Sequence, residues 1–217
     1  MTDSSPCPVC ATMAEHFLTV DMRAYFRCAH CQARFLDPAM CPAKCDEYAH
    51  YLHHENDPDD PDYRRFLSKL ADPLLAELAP GSHGLDYGCG PGPALAHMLR
   101  EAGHDVALYD PFFAPEPAPL DDSYDFVTCT EVAEHFHDPR EDFARLRDMI
   151  RAGGILAIIT CFQDDDTHFA DWHYRKDPTH VVFFRAHTFR YLAAQWGWQI
   201  TIPAKDVVLL RRPTDTD

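Results

Sequence analysis

Leu85-Asp86-Tyr87-Gly88-Cys89-Gly90-Pro91-Gly92 reads as a strand that breaks into a glycine loop and opens a helix. Pro93 stands at a first helical position, and Leu95, Met98, Leu99 and Ala102 form an i, i+3, i+4, i+7 stripe that Gly103 stops. Glycines lack Cβ atoms, so a ligand can lie directly against this backbone with the free N–H groups of the helix facing it. The next apolar run, 106–109, ends at Asp110. That is about 20 residues on, where α/β nucleotide sites place an acid against a ribose diol. Together these features predict a bound nucleoside.

The loop is spaced Asp-x-Gly-x-Gly-x-Gly, whereas dinucleotide-binding loops use G-x-G-x-x-G to approach a pyrophosphate. It resembles the first motif of class I S-adenosylmethionine (SAM) methyltransferases. The resemblance continues at Asp110 and in Tyr124-Asp125-Phe126-Val127-Thr128-Cys129-Thr130-Glu131-Val132-Ala133-Glu134-His135, and it covers roughly residues 83–211. It implies an α/β, Rossmann-like doubly wound sheet of six to seven strands that ends in a closing antiparallel pair. It also implies SAM as cofactor, held by Asp86, Gly88, Cys89, Gly90, Gly92, Asp110 and Thr130.

With 217 residues and 46% hydrophobic content, the chain can bury one principal core and a small accessory one. We divide it into a zinc ribbon at 1–45, a helical linker or cofactor lid at 46–80, and the Rossmann-like domain at 81–217. No apolar run approaches the ~18 residues of a membrane span, and the first residues lack the basic and apolar regions of a secretory signal. Nine cysteines, several in tight pairs, then suggest metal ligands in a reducing compartment, which predicts a cytoplasmic protein. A net charge of −16 repels phosphate backbones, so small-molecule substrates are favoured over nucleic acid. Oligomeric state is not legible.

Cys7-Pro8-Val9-Cys10 and Cys28-Ala29-His30-Cys31 are 17 residues apart, inside the C-x2-C-x15-20-C-x2-C range of zinc sites. Each pair can chelate one side of a tetrahedral ion, and four thiolates leave no open position, so the zinc would be structural. With short strands expected at 17–20 and 23–27, this module is similar to a zinc ribbon. Cys41 and Cys45 read as ordinary thiols. Zinc ribbons serve as nucleic-acid probes in some rRNA methyltransferases, but the charge argues against that here. The order of ribbon, tyrosine-bearing linker and glycine loop resembles methyltransferases that act on small biosynthetic metabolites or sugars.

Residues 46–61 are rich in His, Asp and Pro, a loop or short helical turn followed by a break. The resemblance brings His53, His54, Tyr63 and Arg64 toward the methionine end of SAM, although a surface linker is the plainer reading. Tyr63, Phe66, Leu67 and Leu70 share a helix face, and Asp72-Pro73 reads as the cap of a further helix. Between Asp110 and Tyr124 there is room for neither the helix nor the strand common in the family, and four prolines predict an irregular loop. Asp121 and Asp122 are candidates to meet an adenine there, although a solvated loop is the plainer reading. Asp138-Pro139 caps a helix that Gly153-Gly154 ends, and 155–160 is a doubly buried strand. A helix from Thr188 to Gly197 and strands at 198–202 and 207–210 finish the domain.

Thr130 and Glu131 arrive at the carboxyl edge of the sheet, where open α/β folds bind ligands. Glu134-His135 resembles a Glu-His pair common after this strand in the family. The polar, aromatic stretch 171–180 should wall a pocket on the same edge, with His173 as a base and His180 as a positioning group. No metal-ligand spacing is visible here, which disfavours magnesium-assisted chemistry. The expected activity is methyl transfer from SAM to oxygen, nitrogen or carbon of a small metabolite. Two alternatives stay open: an RNA or protein methyltransferase that reads its target with the ribbon, and a SAM- or partner-binding module without catalysis, for which the shortened 111–124 span is the warning.

Overall fold

The computed structural model describes residues 4–52 and 57–214, so His53 and His54 lie outside the described residues. The predicted parallel core is present. Strands β5 (His83–Tyr87), β6 (Asp105–Tyr109), β7 (Tyr124–Thr130) and β8 (Ile150–Ile159) run parallel, and β10 (Gln199–Ala204) and β11 (Val207–Arg211) close the sheet as an antiparallel pair. The order is β10-β11-β8-β7-β5-β6. The chain leaves β5 toward β6 on one side and returns to β7 on the other, so a crevice opens at their carboxyl ends. Residues 111–123 hold only a 3-10 turn at Ala118–Asp121, and no further sheet strand.

Each face of this sheet is covered. On one side pack helix α2 (Pro61–Leu75) and helix α3 (Ala94–Glu101), burying Leu67, Leu70, Leu74, Leu95 and Leu99 against Phe126 and Ile155. Helix α2 does not stop at Asp72-Pro73 as expected. Its buried stripe Leu67, Leu70, Ala71, Leu74 continues across Pro73, and that packing outweighs the single N–H that proline withholds. On the other side lie α4 (Pro139–Asp148) and α6 (Ala186–Trp196), through Phe143, Leu146, Phe189 and Leu192. The Gly153-Gly154 pair does not terminate α4. Strand β8 has already begun at Ile150, and the glycines lie inside it where the β7–β8 register shifts. Gly153 takes a left-handed φ of +80°, and a Cβ on Gly154 would lie 2.8 Å from the Asp125 carbonyl oxygen.

The N-terminal module is an antiparallel sheet of β1 (Ser4–Pro6), β2 (Met13–Val20), β3 (Arg23–Arg27) and β4 (Arg34–Leu36). Its fifth strand, β9 (Val182–Phe183), comes from far along the chain and pairs Arg34 with Phe183 and Phe35 with Val182. The module also shares a core: Cys7, Val9, Phe26 and Cys28 belong to the same buried cluster as Tyr87, Phe143 and Phe189. Buried Arg34 reaches across to Asp166 through two hydrogen bonds of 2.9 and 2.7 Å. After it, α1 (Lys44–Tyr51) is a helix of two turns where a loop or short helical turn was expected, and Tyr48 and Tyr51 pack on Phe112 at centroid distances of 5.6 Å each. No helix among the described residues is long and apolar enough to cross a membrane.

Candidate functional site

A cavity of about 920 Å³ opens at the carboxyl ends of β5, β6 and β7, near the upper end of the range for small-molecule sites. Gly88, Cys89, Gly90, Asp110, Thr130, Glu131, His173 and His180 all line it; Asp86 and Gly92 do not. Sequence reasoning therefore brings most of its candidates to one wall.

The glycine loop is built as a platform. Gly88 has φ of +76° and donates its N–H to the Tyr109 carbonyl at 2.7 Å, which ties the loop to the end of β6. Its α-carbon faces Val132 so closely that a Cβ would sit 2.3 Å from Val132 Cγ2. Gly90 follows at φ +64° and donates its N–H to Asp110 Oδ2 at 3.0 Å. The other oxygen of Asp110 accepts from the Phe112 and Phe113 N–H groups, at 2.8 and 3.0 Å. A carboxylate has about four lone-pair sites. Asp110 thus braces the loop and keeps acceptor capacity toward the cavity.

Asp86 works beneath the platform rather than on it. It is 4% exposed, accepts the Thr128 hydroxyl at 2.7 Å, and is bonded by the backbone of Ala96 in α3. Burial pushes its carboxyl up to about 6, against the pull of Thr128. Thr130, at the end of β7, has a buried hydroxyl with no hydrogen-bond partner among the described residues.

Glu131 follows in a left-handed conformation, φ +52°, with its N–H held by the Ile159 carbonyl at 2.9 Å. Burial, and then the neighbouring Glu134, push its carboxyl up to about 9. Glu134 is fully buried and accepts the Tyr174 hydroxyl, and burial raises its carboxyl as well. His180 donates from Nδ1 to the Tyr174 carbonyl at 2.7 Å, and its ring lies 4.1 Å from that of Tyr174 and 4.7 Å from that of His135. His173, the first residue of the short helix α5 (His173–Lys176), stands exposed at the rim.

Sequence reasoning missed the opposite wall. Lys44, Glu47 and Tyr51 of α1 reach the cavity, with Glu47 bonded to His137 at 2.8 Å. The only signal was the tyrosine-rich character of that stretch. Tyr63 and Phe66 of α2 also line the cavity, whereas Arg64 turns away to Glu101 and the Pro58 carbonyl. It also missed a second ligand-type cluster: Glu134, His135 and His180 each offer an atom within 4.8 Å of the others, although His180 lies 45 residues beyond His135.

The four ribbon cysteines meet as their spacing predicts, all Sγ atoms lying within 4.8 Å of one another. Cys7–Cys31 and Cys10–Cys28 approach to 3.5 Å, without disulfides. The hydrogen bond from Cys31 draws the Cys7 thiol down to about 6, while burial pushes Cys28 up to about 11. Four thiols so close cannot all ionise unless a cation sits among them, and an all-sulfur tetrahedral set suits zinc.

A family profile for the methyltransferase domain matches residues 51–201. The biotin biosynthesis bifunctional protein BioCD of Bordetella avium (strain 197N) is 29% identical over 153 residues, which are 60% of this chain and 30% of that protein. This chain thus spans less than a third of that relative's length. A Galdieria sulphuraria structure, provisionally assigned as a sarcosine dimethylglycine methyltransferase, superposes with a TM-score of 0.51 at 18% identity, over 72% of this chain and 76% of that one. The 1,6-didemethyltoxoflavin-N1-methyltransferase of Burkholderia thailandensis, solved with 1,6-didemethyltoxoflavin and S-adenosylhomocysteine, covers 93% of this chain and 100% of its own, with 20% identity and a TM-score of 0.46. With its glycine loop, its crevice at the strand ends and a family match across most of its length, the chain belongs to the methyltransferase-domain family.

Proposed function

We propose that this protein transfers a methyl group from SAM to an oxygen, nitrogen or carbon atom of a small molecule. The observation that carries this reading is the cavity itself, walled on one side by the Gly88–Gly90 backbone and Asp110 and on the other by aromatic and histidine side chains. SAM supplies an already activated sulfonium methyl, so the protein's work is to hold and desolvate both reactants, a contribution of about 7–11 kcal/mol. Gly88, Cys89 and Gly90 present backbone to the cofactor, and Gly92 shapes the same turn. Asp86 ties β5 to β7 through Thr128, Asp110 accepts from the ribose hydroxyls, and Thr130 offers its hydroxyl, unpartnered among the described residues.

On the acceptor side, Tyr51, Tyr63 and Phe66 exclude water. His180, its ring fixed by the Tyr174 carbonyl, positions the acceptor, and Glu131 lies beside it; His173 at the rim is the base for a protonated acceptor. The four ribbon thiols hold a structural zinc. A net charge of −16 favours a small acceptor over nucleic acid, and nine cysteines without disulfides accord with the cytoplasm.

Titration calorimetry with S-adenosylhomocysteine tests the first requirement, and one site per chain is expected. A panel of small hydroxyl, amine and activated-carbon acceptors is then assayed beside tRNA and rRNA. No binding of the cofactor product overturns the reading, and turnover on RNA alone overturns its choice of substrate.

A further inference from the structure

One wall of the cavity carries a polar cluster with the character of a metal site. Glu134 is 0% exposed; its Oε1 accepts from Tyr174, but its Oε2 has no hydrogen-bond partner among the described residues. An orphaned oxygen on a buried carboxylate bears its desolvation penalty unrelieved, so it persists only where something else compensates. His135 Nδ1 lies 3.1 Å from the Thr179 carbonyl and His180 Nδ1 lies 2.7 Å from the Tyr174 carbonyl. A carbonyl can only accept, so both rings carry their proton on Nδ1 and their lone pair on Nε2. Imidazoles that ligate metals are oriented in this way, with the second nitrogen donating to a backbone carbonyl. One ligand-capable atom from each of the three residues falls within 4.8 Å of the others. Asp177 Oδ2 stands 4.0 Å from His180 Nε2, beyond hydrogen-bond range.

We propose that Glu134, His135 and His180 hold a divalent cation at the wall of the cavity. Two imidazoles and one carboxylate select manganese, iron or zinc over calcium. Three protein ligands leave coordination positions open, and because His135 and His180 line the cavity those positions face it. They take water or an oxygen donor of the acceptor, which makes the substrate class an oxygen-bearing molecule able to ligate a cation. That last step rests on the methyl-transfer reading; the cation site does not.

Manganese is a suitable probe because the thiolate cluster, filled first with zinc, does not compete for it. Manganese chloride titrated into the full-length, zinc-loaded protein should lose its free-ion electron paramagnetic resonance signal at one ion per chain. His135→Asn and His180→Asn should each weaken that capture tenfold or more, with zinc content and S-adenosylhomocysteine binding retained. Pulsed spectra of the wild-type complex should carry imidazole nitrogen modulation, a readout independent of any variant's folding. Absence of capture at millimolar manganese, capture indifferent to both substitutions, or a spectrum without nitrogen overturns the site. Calorimetry on the same samples separates the two claims: manganese capture without homocysteine-product binding counts against methyl transfer alone.

Discussion

Gly88 and Asp110 show how much one residue can fix. Gly88 combines a left-handed φ of +76° with a Cβ direction that ends 2.3 Å from Val132. Gly88→Ala should therefore cost about 2–4 kcal/mol, from backbone strain plus a clash that the β7 end cannot relieve, read as a lower urea midpoint at unchanged slope. Asp110 should matter twice, once for the cofactor and once for the loop. Asp110→Ala removes the acceptor for Gly90, Phe112 and Phe113 together. S-adenosylhomocysteine affinity should fall roughly tenfold or more in calorimetry, since charge-assisted hydrogen bonds are the strong ones; unchanged affinity removes Asp110 from the cofactor site. His173 is a narrower case. It lines only the exposed rim, so His173→Ala should lower turnover while leaving cofactor affinity intact, and full activity would exclude it as the base.

At the scale of elements, Asp86 links β5 to β7 through Thr128 and to α3 through Ala96, and its charge is held at a cost. Its carboxyl titrates at about 6 in the folded protein against 3.8 when free. Between those values the native state keeps a proton that the unfolded chain has lost, so the contribution of Asp86 to stability should fall as pH rises through that window and then level off. Denaturant melts at pH 4 and 7 should differ by about 2 kcal/mol from this group, and Asp86→Asn should remove that share of the difference.

The elements around it were largely legible in the chain. The glycine loop, the acid ending β6, the buried strand before Thr130 and the cysteine pairs depend on local spacing, which sequence displays directly. Where reading failed, a long-range contact had overruled a local signal. Pro73 looks like a helix start until the Leu67–Leu74 stripe is seen packed on the sheet. Gly153-Gly154 looks like a stop until Asp125 is seen crossing above it. The cavity wall from α1 and the Glu134–His135–His180 cluster join residues distant in the chain, and no periodicity announces them.

For the molecule as a whole, the ribbon is not an appendage. Its cysteines share a core with Phe143 and Phe189, and the Leu36 N–H bonds the Val181 carbonyl, whose own N–H bonds the carbonyl of Glu134, each at 2.8 to 2.9 Å. That ladder runs from the cysteine module to the cavity wall. Elemental analysis should find one zinc per chain in the ribbon, lost in both Cys10→Ser and Cys28→Ser; retained zinc in both would refute the site. Because a structural zinc contributes folding free energy directly, those variants should also lose cooperative unfolding and cofactor binding together.

Two residues, Val182 and Phe183, make the ribbon impossible to treat as a removable cassette. Cutting the chain after residue 45 would strip them of their neighbour and leave a naked, aromatic sheet margin open to other chains. A truncated protein should come out of expression as aggregate rather than as a slimmer enzyme. Anyone wishing to graft this cysteine module onto another scaffold must carry that distant dipeptide with it.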